Sequence, residues 1–61
     1  LTAAHQIEQQ IQKLLMENTM EAKELKESLN FAAKDIDTVL SWLVDKDKVR
    51  INAINQYYWT I

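Results

Sequence analysis

Apolar residues in the first half of the chain recur every three or four positions. Ala4, Ile7, Ile11, Leu14 and Leu15 form one stripe of an amphipathic helix over residues 2–18. Thr2 is its N-cap and Asn18 its terminator. A shorter stripe at Ala22, Leu25 and Leu29, ended by Asn30, predicts a second helix about two turns long. Beyond Phe31, the positions Ile36, Val39, Leu40, Leu43 and Val44 again keep helical spacing and predict a helix from about Ala33 to Asp47. With Ala32 at its N-cap, Phe31 and Ile36 take the two places of a hydrophobic staple. Asp35 then lies in the first turn, where the helix dipole favours negative charge.

The period changes after residue 48. Val49 and Ile51 alternate with Arg50 and Asn52, and Tyr57, Trp59 and Ile61 alternate with Tyr58 and Thr60. Two short strands joined through "AINQ" predict a hairpin that turns Tyr57 and Trp59 inward and Tyr58 outward. Residues Thr19 to Glu21 can add a small third strand. The expected fold class is mostly α with a small β-hairpin (α+β), in one domain spanning residues 1–61.

Composition sharpens this in three ways. Sixty-one residues allow one small core, near the lower limit of what folds unaided. Glycine and proline are both absent, so turns need other residues that tolerate a left-handed backbone. Asn18, Asn30, Asn52 and Asn55 fall where the periodicity breaks and are expected to supply them. Cysteine is absent too, which excludes disulfides and thiolate metal sites and is compatible with a reducing cytosol or nucleus. No apolar run approaches the roughly 20 residues that span a bilayer, and no signal-peptide pattern is present. A cytoplasmic or nuclear location with no membrane partner is the expectation. A chain opening on Leu1 reads as a processed or excised piece of a longer protein.

The segment "AKELKESLNFAAKDIDTVLSWLVDKDKVRI", followed by "YYWTI", resembles the winged helix-turn-helix superfamily. Ala22, Leu25 and Leu29 match the apolar pattern of that fold's second helix. Asn30 takes the turn position usually held by glycine, and Leu40 and Leu43 match the paired leucines of the third helix. The resemblance implies a three-helix winged helix-turn-helix. "SWLVDKDKVRI" is similar to the end of helix three in small bacterial winged-helix domains. More distantly the chain is similar to the Z-alpha group, which binds left-handed duplexes through helix three and the wing. Lys34 and Trp59 agree with that group, whereas Asp37 stands where it has an asparagine.

The resemblance implies a regulatory, DNA-binding module with duplex DNA as its partner. On helix three, Lys34, Thr38 and Ser41 lie opposite the apolar stripe, where they would meet phosphates or base edges. Lys48 and Arg50, with Lys46, make a basic edge where the helix meets the wing. Asn55, Gln56 and the stacking candidate Tyr58 complete the wing set. Charge argues the other way. The net charge is −2, with nine acidic residues against seven basic, and Asp37 and Asp45 border the helix-three face. A carboxylate beside a phosphate costs affinity. Asp45 and Asp47 interleave with the basic edge, which suits local pairing. The alternative is therefore a protein-interaction winged helix within a larger protein or complex. Trp42 would be its anchor, with Met16 and Met20 widening the patch; otherwise Trp42 packs beneath the hairpin or helix one.

His5 is the only histidine and has no partner ligands near it in sequence, so no metal site is expected. No nucleophile–base–acid arrangement or phosphate-binding loop occurs, and so small a domain offers no cleft. Neither enzyme activity nor a cofactor is expected. The sequence carries no signal of oligomeric state.

Overall fold

The computed structural model describes residues 2–60. Its elements run α1 (Thr2–Glu17), β1 (Met20–Glu21), α2 (Ala22–Ser28), α3 (Ala33–Asp45), β2 (Val49–Ile51) and β3 (Gln56–Trp59). The strands form one antiparallel sheet in the order β1-β3-β2. Three helices with a small three-stranded antiparallel sheet make an α+β arrangement, compatible with a winged-helix layout.

The stripes that predict the helices are the surfaces that bury. Ile7, Ile11 and Leu15 of α1 meet Leu25 and Leu29 around α2, Ile36, Val39, Leu40 and Leu43 of α3, and Val49 of β2. Among the described residues no polar or charged side chain is buried with them. Phe31, Met20, Tyr57 and Trp59 pack against this core from its edges, Tyr57 and Trp59 from the inward strand positions expected of them. Removing apolar surface from water is the main favourable term in so small a fold. Val44 departs from the expected stripe. It is 37 % exposed, because α3 turns that flank toward the hairpin and not toward α1 or α2.

Local chemistry sets the boundaries. Thr2, expected to cap α1, is instead its first helical residue; residues 1 and 61 lie outside the described residues. The Glu21 amide donates to Glu24 Oε1 at 3.0 Å, closing the start of α2. Ala32 is the N-cap of α3, in extended conformation, with Asp35 in the first turn as expected. At the other end α3 stops at Asp45, two residues earlier than its spacing suggests. The Asp47 amide donates to the Val44 carbonyl at 3.0 Å and the Lys48 amide to the Leu43 carbonyl at 2.9 Å. That is a Schellman ending, with Asp47 at φ 64° in the left-handed place usually held by glycine.

Among the described residues, Asp47 and Asn55 alone have positive φ, so the left-handed role expected of four asparagines falls to one. Asn30 does not need it: α2 ends through Leu29 in extended conformation (φ −102°, ψ 141°), which breaks the helix without a left-handed residue. Asn52 works through its side chain instead. Its Oδ1 accepts from the amides of Ile54 at 3.0 Å and Gln56 at 2.9 Å. The Asn55 amide donates to the Asn52 carbonyl, and left-handed Asn55 returns the chain into β3. Thr60 fastens the far end of the hairpin, its hydroxyl reaching the carbonyls of Asp47 (2.8 Å) and Lys48 (3.0 Å).

Candidate interaction surface on helix three and the wing

Because α3 buries Ile36, Val39, Leu40 and Leu43, its helical period turns Lys34, Thr38, Ser41 and Asp45 to solvent. The exposed surface of α3 as a whole is acidic. Helix α3 carries Asp35, Asp37 and Asp45 against Lys34 alone. Asp37 is held by Lys26 of α2, Oδ1 to Nζ at 2.9 Å. The Thr38 hydroxyl donates back to the Lys34 carbonyl at 2.9 Å. Lys34 and Asp45 are in no ion pair among the described residues.

The basic candidates of the wing are engaged inside the fold. Lys48 Nζ lies 3.5 Å from Glu8 Oε2 on α1. Arg50 Nη2 donates to Asp47 Oδ2 at 3.3 Å. That hydrogen bond, then the Asp47 charge and the nearby Tyr58, raise the Arg50 pKa above its ordinary value, so the guanidinium stays charged. Gln56 Oε1 accepts from the Thr19 hydroxyl at 3.0 Å and the Asn52 amide at 3.3 Å. Asn55 is exposed at the turn, where its backbone conformation is its evident role.

Strand alternation also separates the two candidate sets. Arg50 stands opposite Tyr58, and Ile51 opposite Tyr57, across the β2–β3 ladder. Ile51 and Tyr57 face α3, so Arg50, Gln56 and half-buried Tyr58 look out from the other face of the hairpin. Lys34, Thr38 and Ser41 therefore do not share one surface with Arg50, Gln56 and Tyr58.

What the fold does assemble is an open groove of about 370 Å³ between α3 and the hairpin. Leu40, Val44, Ile51 and Tyr57 form its apolar floor. Asp37, Ser41 and Asp45 form its rim along α3. Ile51 is 49 % exposed, and Ile54 at the wing tip 67 %. Asp45 sits where a helix dipole disfavours it, in a last turn that contains no basic residue. Periodicity alone assigns Val44 to the core, so the sequence does not reveal this groove.

Trp42 is 47 % exposed on the other flank of the ridge, against a depression of about 260 Å³ that includes Ala4, Ile7 and Val39. It lies beside helix one, not beneath it. Met16 is exposed near the far end of α1, about 18 Å along the helix axis from Ala4. Met20 is half-buried in β1 and packs on the core. Trp42, Met16 and Met20 thus do not make one patch. His5 is exposed. No described helix is long and apolar enough to cross a membrane.

Fold and surface together describe a small α+β domain, compatible with a winged-helix layout, whose third helix exposes carboxylates beside an apolar groove. Comparison with protein families, curated proteins and solved structures finds no match.

Proposed function

We propose that this chain is a winged-helix interaction module that docks another protein through the groove between α3 and the hairpin. The observation that carries this reading is the groove itself: an apolar floor, rimmed by Asp37 and Asp45, in the place where a DNA-reading winged helix needs cations. Nucleic-acid affinity comes largely from Lys and Arg neutralising phosphates. Lys48 and Arg50, which would do this, are turned to Glu8 and Asp47. Exposed apolar residues gathered beside a polar rim are the usual composition of a protein contact.

A peptide-display selection against the folded domain tests this reading. Peptides should be enriched on the wild type and lost when the groove is blocked by Val44→Glu with Ile51→Glu. Enrichment that is equal on both proteins contradicts groove docking.

A second reading, a regulatory module on duplex DNA, keeps one specific support. Lys34, Thr38 and Ser41 lie together on the exposed ridge of α3, and Lys34 is in no ion pair among the described residues. Salt-sensitive duplex binding that is lost in Lys34→Glu is its signature.

A further inference from the structure

We infer that the groove between α3 and the hairpin takes a basic peptide segment, one whose apolar side chains enter the groove while a Lys or Arg meets Asp45. The inference rests on the docking reading above and adds the chemistry of the partner.

Three observations point the same way. The groove floor is apolar, with Val44 and Ile51 substantially exposed in the isolated chain. Among the described residues its rim charges are both carboxylates, with Ser41 between them. Asp45, finally, is unpaired among the described residues and placed at the negative end of the α3 dipole. A carboxylate so placed is electrostatically unfavourable in the free domain, and an incoming cation relieves it. Among the described residues no cation lies within ion-pair distance of Asp45. Lys46 follows Asp45 and lies with it and Trp42 around a depression on the flank away from the hairpin. Arg50 lies on the far face of the hairpin, bound to Asp47. Lys26 engages Asp37, so the two ends of the groove differ: Asp45 is open, and Asp37 is shared.

Asp37 and Asp45 are two helical turns apart, about 12 Å along α3. An extended segment spans that with residues about four positions apart, and a helical one with residues about eight apart. An acidic or uncharged segment would leave Asp45 uncompensated beside the interface, which is how this surface discriminates among apolar peptides.

The test is a selection of random peptides on the wild-type domain, the Asp45→Lys domain and the groove-blocked Val44→Glu/Ile51→Glu domain, each checked for folding by circular dichroism. Synthetic copies of the enriched peptides are then titrated by fluorescence anisotropy. The expected winners combine apolar residues with Lys or Arg. Their binding weakens about two- to fivefold in Asp45→Asn, the range of one exposed ion pair. It weakens further in Asp45→Lys and as salt is raised. Winners that depend on the open groove but are neutral or acidic, or that bind Asp45→Lys as well as wild type, overturn the basic occupant and leave groove docking standing. No enrichment over the groove-blocked domain overturns both.

Discussion

Lys26 of α2 reaches across to Asp37 of α3, Nζ to Oδ1 at 2.9 Å, and so covers the acid at one end of the groove. Both side chains remain substantially open to water, so the pair adds little to stability. Its larger effect is on the surface. Lys26→Ala is expected to change the unfolding free energy by less than about 1 kcal/mol. It should also tighten binding of basic groove peptides, because Asp37 is then unshared. Urea denaturation and peptide anisotropy on the same variant check both halves; weaker binding would contradict the role given to Asp37.

Asp45 carries the opposite balance. At the C-terminal end of α3 it opposes the helix dipole, so Asp45→Lys should stabilise the free domain by about 0.3–1 kcal/mol at low ionic strength. The gain should shrink as salt screens it. Chemical denaturation at two salt concentrations measures this. A variant that is less stable than wild type at low salt would show that Asp45 has a structural role.

Asp47 holds a left-handed backbone where α3 ends, and its side chain binds exposed Arg50. Asp47→Gly removes the Cβ penalty and costs one surface pair. The net expectation is a stabilisation of up to about 1 kcal/mol. Asp47→Val, β-branched at positive φ, should lose about 1–2 kcal/mol. Thermal unfolding of the two variants side by side reads the difference in sign.

The Asn52 side chain braces the hairpin turn. Asn52→Ala removes the acceptor for the Ile54 and Gln56 amides, and is expected to cost about 1–2 kcal/mol. Hydrogen exchange should accelerate at those two amides well before the buried α1 and α3 amides respond. Uniform acceleration would instead mean that the wing and the core open together.

Helix positions were readable because Ile7, Ile11, Leu25, Ile36 and Leu43 repeat at the helical period and all bury. The strands were readable from the change to alternation at Val49. The end of α3 was not, because "DKDK" looks like a solvated helix face and contains no glycine to mark Asp47 as the left-handed residue of the Schellman ending. The groove was hidden for a related reason. Periodicity tells which face of α3 is apolar, but not that the hairpin stops short of covering Val44. The pairs Lys26–Asp37 and Lys48–Glu8 join different elements, so charge counting could not find them. They change the meaning of the candidates: Lys48 is a tether to α1, and Asp37 is already partnered.

The most direct test of the central claim, that this helix-three face docks protein in place of nucleic acid, is an anisotropy titration of a labelled mixed-sequence duplex at low salt. Nonspecific duplex binders reach Kd values of roughly 10⁻⁴–10⁻⁶ M even at physiological salt, and bind more tightly below it. The account predicts no saturable binding in that range, with Lys34→Glu indistinguishable from wild type. Binding that saturates there, falls steeply with added salt and is lost in Lys34→Glu would contradict it.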